Sequence, residues 1–278
     1  MRWLRLARDD VAEARRDRSL YAIGLMFAIL GALAGWVLGE IAKSGAPSQL
    51  GFSFVALQLL AVLVPVEAVM ASYDSIVDRR SLGSLHLLLG LPYLRRDVFL
   101  GSYAGRVVVS LVATVVAVVA MAVVGALLGG ADALTDPVSI GLVVALTATL
   151  AVVFTGIGLT FSMVTRSSNL AGIGSFLVLV LLVFLWGVFV NLLVFLATRL
   201  GVETSMDAAW VTFVHSLNPH NAFKALASTQ FAGFEEIGAL LTAGGAFYQT
   251  ALFAALVLTG WAVVVPGLAY LRFRGADL

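Results

Sequence analysis

The chain has 278 residues, of which 61% are hydrophobic, 10% aromatic and 12% charged, with a mean hydropathy of +1.03. A soluble domain carries about 25% charged residues, so there is too little polar side chain here to coat a water-soluble globule, and the same composition excludes disorder. A net charge of +1 supplies no bulk basic field for nucleic acid, and the lack of cysteine removes a disulfide framework, a thiolate metal site and a cysteine nucleophile together.

What remains is an all-α, polytopic membrane protein: a single transmembrane domain over residues 1–278. Residues 1–19 predict an interfacial helix. At about 100° per residue, Trp3, Leu4, Ala7, Val11 and Ala14 fall on one arc, with Arg2, Arg5, Asp9, Glu13, Arg15 and Arg16 on the other. A spanning helix needs roughly 20 mostly apolar residues. Six stretches qualify: 20–38, 52–70, 107–128, 138–164, 170–196 and 248–270. The first is too long for a signal-peptide core and reads as retained. It carries Gly31, Gly35 and Gly39 at four-residue spacing, a ridge that lets another helix approach closely. No strand-like alternation appears, so a β-barrel is excluded.

Lys and Arg set the orientation. With the N-terminus inside, the inner segments hold Arg2, Arg5, Arg8, Arg15, Arg16, Arg18, Arg79, Arg80, Arg95, Arg96, Arg106, Arg166, Arg272 and Arg274. Only Lys43, Arg199 and Lys224 fall outside, so both termini are expected in the cytoplasm.

Residues 71–106 form the most informative loop. Leu82, Leu85 and Leu89 sit at i, i+3 and i+7, one face of a helix that Gly90 and Pro92 end. An apolar stripe bracketed by arginines on the cytoplasmic side needs a partner, either a membrane surface or another protein. The outer segment, 199–247, predicts short helices on or dipping into the outer leaflet, broken at Asn218-Pro219-His220-Asn221.

Enzymatic signatures are missing. There is no P-loop, no HExxH and no GxSxG. The three histidines form no cluster across the bilayer, and no metal site or cofactor is expected in this chain. Ser175 has no neighbouring histidine to activate it. Within the spans, Glu67 and Asn191 are the candidates for a pathway or a structural polar role. Glu67 is expected to reach water or Arg79 and Arg80, and Asn191 to form an interhelical hydrogen bond.

The chain resembles the ABC-2 type permease family, in particular its NosY-like branch, which is associated with nitrous oxide reductase maturation. The matching residues are Leu63-Val64-Pro65, Tyr73-Asp74-Ser75-Ile76-Val77, Gly83-Ser84-Leu85, Leu87-Leu88-Leu89, Pro92, Arg95-Arg96, Gly101 and Gly105, then Leu217-Asn218-Pro219. There are two departures: Arg79, Arg80 and Ser81 stand where acidic residues usually precede the Gly-Ser-Leu, and Ser102 replaces a lysine. The resemblance implies an export-type permease in the plasma membrane that pairs with itself or a similar permease and docks two separate ATPase subunits. It also implies that Asp78, Arg79, Arg80, Leu82, Gly83, Ser84, Leu85 and Leu89 make the ATPase-coupling segment, and that Asn218, Pro219 and His220 form an outer-face motif. A non-transporting scaffold or signalling subunit of a membrane complex is the alternative.

Overall fold

The computed structural model describes residues 2–14, 16, 18–45, 51–81, 83, 93–134, 136–202, 205, 208–231 and 245–275. These residues are helical, with no strand among them. The helices are α1 (Arg2–Ala14), α2 (Arg18–Ser44), α3 (Phe52–Met70), α4 (Val77–Ser81), α5 (Arg95–Gly129), α6 (Pro137–Val164), α7 (Ser168–Val180), α8 (Trp186–Arg199), α9 (Ala209–Ser216), α10 (Pro219–Ser228) and α11 (Ala251–Gly275). A π-helical turn, Leu181–Leu185, joins α7 to α8. Six of these helices, with α7 and α8 continuous, are long and apolar enough to span a membrane, at the positions the hydropathy predicts.

The third span differs in one respect. Its helix starts at Arg95, about a dozen residues before the apolar stretch, because Asp97 in its first turn accepts the Leu94 N–H at 3.1 Å. At 1.5 Å per residue, this adds roughly 18 Å of charged helix beyond the apolar part. That extension is the post against which α1 and α4 are set.

α6 is central, touching α3, α5, α7, α10 and α11. It is apolar on all sides, as a helix surrounded by others must be, and Leu150, Phe154, Ile157 and Leu159 are buried along it. Asp136 caps it by accepting the Ser139 N–H at 3.0 Å, with Pro137 in the first turn, where no N–H is needed. Gly156 and Gly158 let α11 and the turn after α3 come close. On α11, Pro266 cannot donate to the carbonyl of Ala262, one turn earlier. The Tyr103 hydroxyl lies 2.8 Å from that oxygen and supplies the missing proton.

α2 and α5 run side by side in the same direction. A Cβ on Gly31, Gly35 or Gly39 would strike Ala117, Met121 or Leu128 of α5, so the glycine ridge is used as its spacing predicts. Lipid supplies no hydrophobic drive between helices, and backbone approach of this kind supplies dispersion contact in its place.

Candidate functional site

The end of the bundle that carries α1 is basic, and its segments are tied by side chains from distant parts of the chain. α4 begins where α3 and a short turn leave off. The first N–H groups of a helix have no acceptor within it. Here the N–H groups of Ile76 and Val77 donate to Ser162 Oγ of α6 at 2.9 and 3.0 Å. Ser168, opening α7, donates its hydroxyl to the Asp78 carboxylate. Arg80 donates to the carbonyl of Thr165 at 3.0 Å, just past the C-terminus of α6, where carbonyls are left over. Three elements therefore clamp a five-residue helix that could not stand alone.

Arg79 points the other way, toward α1. Its guanidinium meets Asp10 at 2.6 Å and Glu13 at 3.3 Å, and donates to Ser102 of α5 at 3.3 Å. Arg106 reaches the same Asp10 from α5 at 3.1 Å. The Asp10 side chain is 0% exposed, and the two arginines are 17% and 19% exposed. α1 comes this close because glycines replace side chains on α5. A Cβ on Gly101 would stand 2.6 Å from Leu6, and one on Gly105 2.7 Å from the Asp10 carboxylate. Burial pushes the Asp10 carboxyl above its ordinary range, while Arg106 and Arg79 pull against that rise.

The last turn of α11 is drawn into the same end. Arg95 donates to the carbonyls of Phe273 and Arg274 at 2.7 and 3.0 Å, and the guanidinium carbons of Arg80 and Arg95 each stand 5.7 Å from the Phe273 ring centroid. Burial, with Arg166 and Arg95 nearby, lowers the pKa of Arg80. Positive charge is thus concentrated here, with Arg96, Arg166, Arg272 and Arg274 exposed around it.

At the opposite end, α9 and α10 form a tight pair between the fifth and sixth spans. Asn218 is the joint. Its side-chain oxygen accepts the N–H groups of His220 and Asn221 at 2.7 and 3.1 Å, capping α10, and Pro219 fills the first helical position. Its amide donates at 2.9 Å to the carbonyl of Leu182 in the π-helical turn. Such a turn breaks the regular ladder of the helix, and Asn218 takes up a carbonyl there. Trp261 of α11 donates to the carbonyl of Leu217 at 3.0 Å. His220 is 4% exposed, and its Nδ1 has no partner among the described residues. Burial first, and Lys224 second, bring its pKa down to about 3. Among the described residues, no group of three or more His, Cys, Asp or Glu side chains could hold a metal ion.

The ABC-2 family transporter protein family matches this chain over residues 4–278. The chain belongs to that family. A probable ABC transporter permease protein NosY from Stutzerimonas stutzeri is 27% identical over 285 residues, covering 97% of this chain and 96% of that protein. Another, from Pseudomonas aeruginosa, is 33% identical over 115 residues, covering 39% of this chain and 40% of that protein.

Within this ABC-2 chain, the residues singled out by sequence fall in different places. Asp78, Arg79 and Arg80 all lie on α4 and are bonded within the chain. Gly83, at φ +71°, follows the end of α4, its N–H donating to the carbonyl of Arg80 at 3.2 Å. Leu82, Ser84, Leu85 and Leu89 lie outside the described residues. Arg79 and Ser102, one residue from each of the two departures noted in the sequence, touch each other. Glu67 reaches neither water nor Arg79 and Arg80, which are engaged elsewhere. It is 1% exposed and faces Ser110 and Arg106. Asn191 lies exposed on α8 and makes no interhelical hydrogen bond among the described residues. Asp10 went unnoticed in the sequence. Its only signal is an acidic residue on an arginine-rich helix, and its partners lie far along the chain.

Proposed function

We propose that this chain is the membrane-spanning permease subunit of an ABC transporter, an exporter in the plasma membrane driven by separate ATPase subunits. The observation that carries this reading is the clamped helix α4. Ser162, Thr165 and Ser168 hold it to α6 and α7, and Arg79 holds it to α1 and α5. A lever that transmits motion must be stiff at its root, and α4 is the root of the segment with the Leu82, Leu85 and Leu89 stripe.

In this reading the basic end faces the cytoplasm, both termini lie there, and two ATPase subunits dock on the stripe of a permease dimer. Arg79 and Arg80 act as internal braces, and the exposed arginines around them supply the attraction to an acidic partner surface. The chain itself turns over no nucleotide. Its likeness to NosY permeases supports placing it with them, so nitrous oxide reductase maturation is the first role to test.

Leu85 at the centre of the stripe gives the test. A leucine in an interface pocket contributes roughly 1.5–3 kcal/mol by area, and an aspartate there buries an unpaired charge as well. Leu85→Asp is expected to insert normally and lose copurification with the ATPase. If the stripe served lipid instead, ATPase recovery from the variant would match that of the wild type.

A further inference from the structure

A cleft of about 560 Å3 opens between α1, α2 and α5, lined by Val11 from α1, by Tyr21 and Gly24 from α2, and by Val108, Val112 and Val116 from α5 among others. Its shape follows from the glycine ridge. From Gly31 onward α2 lies on the backbone of α5, and toward the basic end it stands away. A Cβ built on Gly24 meets nothing within 4 Å. The α5 wall from Val108 to Val116 is about 12 Å long at 1.5 Å per residue. The lining is apolar except for the Tyr21 hydroxyl, and the open side is broad, with Tyr21 67% and Val112 57% exposed.

No charged side chain lines the cleft, but basic residues are close to its lining in sequence. Arg16 is exposed on the chain between Val11 and Tyr21, and Arg8, also exposed, is one turn from Val11. Of the three acids of α1, Asp10 and Glu13 pair with Arg79, and Asp9 lies exposed next to Arg8. α1 therefore buries Leu6 and Asp10 against α5 and leaves Leu4, Arg5 and Arg8 exposed.

We propose that this cleft seats one acyl chain of an anionic phospholipid, with the phosphate held at Arg8 and Arg16. Long basic side chains reach the headgroup layer while their stems stay in apolar surroundings, and basic residues near an anionic surface are attracted to it. A spanning helix from a second copy does not fit. It needs about 30 Å of continuous face and a diameter of about 10–12 Å, whereas the cleft closes at Gly31. An acyl chain is narrow and ends within one leaflet.

The test uses the full-length protein purified in detergent and incubated with phosphatidylglycerol or phosphatidylcholine of identical acyl chains. Bound lipid is counted by native mass spectrometry. The wild type is expected to retain phosphatidylglycerol at least fivefold over phosphatidylcholine. Gly24→Phe and Val112→Phe fill the cleft from opposite walls. Each should lose the bound lipid while keeping the lipid-free unfolding midpoint of the wild type. Arg16→Gln should lower phosphatidylglycerol retention toward the phosphatidylcholine level. If either filling variant folds and still retains phosphatidylglycerol as the wild type does, the proposal fails. It also fails if both lipids are retained equally, or if the filling variants lose self-association and not lipid.

Discussion

Asp10→Ala is the sharpest test of the ion-pair brace. The substitution removes the carboxylate that hydrogen-bonds Arg79 at 2.6 Å and forms an ion pair with Arg106 at 3.1 Å. Removing one partner of a buried pair costs about 3–5 kcal/mol. The lower end applies here, because Arg79 keeps Glu13 and Ser102 and both guanidinium groups touch water. About 3 kcal/mol, at about 1.4 kcal/mol per tenfold, moves the docking of α1 on α5 roughly a hundredfold toward release. Leu6, 6% exposed against α5, reports that release. The chain has no cysteine, so Leu6→Cys gives a single buried thiol. A buried thiol reacts through the opened state, so its labelling should be on the order of tenfold to a hundredfold faster in Leu6→Cys/Asp10→Ala than in Leu6→Cys alone. Raising the salt concentration should change the Leu6→Cys rate little, because buried pairs are weakly screened. Equal labelling rates in the two proteins would refute the brace.

Asn218→Ala should lower stability by about 2–3 kcal/mol, combining a lost helix cap with an unpaired carbonyl at Leu182, measured as a drop in the unfolding midpoint in detergent. For His220, the folded value of about 3 lies below the ordinary 6.5. The unfolded chain therefore takes up a proton that the folded chain refuses, and stability falls as pH drops from about 6.5 toward 3, by up to about 1.4 kcal/mol per pH unit. Unfolding midpoints measured from pH 7 to pH 5 should decline in the wild type and flatten in His220→Leu. Gly35→Leu drives a side chain into the backbone of α5 and should abolish a monodisperse product on gel filtration, whereas Gly24→Ala, at an open position, should leave it unchanged.

The spans were legible because hydropathy acts residue by residue and needs no partner. The glycine ridge was legible for a similar reason, since a four-residue spacing marks one helix face whatever packs on it. Pairing was harder to read. The wheel of α1 sorts apolar from polar correctly, yet the face that packs on the protein carries Leu6 and Asp10. What selects it is Arg79, 69 residues away in sequence, together with Arg106. Arg79 and Arg80 read as surface charges because a guanidinium near Gly-Ser-Leu looks solvated until its acceptors are placed. Asn218-Pro219 stood out as a helix start, but the π-helical turn it joins has no signature in the apolar run from Leu181 to Leu185. The early start of α5 was hidden because Arg95, Arg96 and Asp97 suggest a loop, although they equally suit a helix that has left the bilayer.

The position of Asp10 also imposes an order of assembly during synthesis. α1 leaves the ribosome before α4 and α5, carrying a carboxylate whose buried site does not yet exist. Arg79 is made 69 residues later, after two spans, and Arg106 later still, at the threshold of the third. Until then α1 has no reason to leave the surface, because burying an unpaired carboxylate is costly. α1 therefore settles only after the start of the third span, with Arg106, has been made.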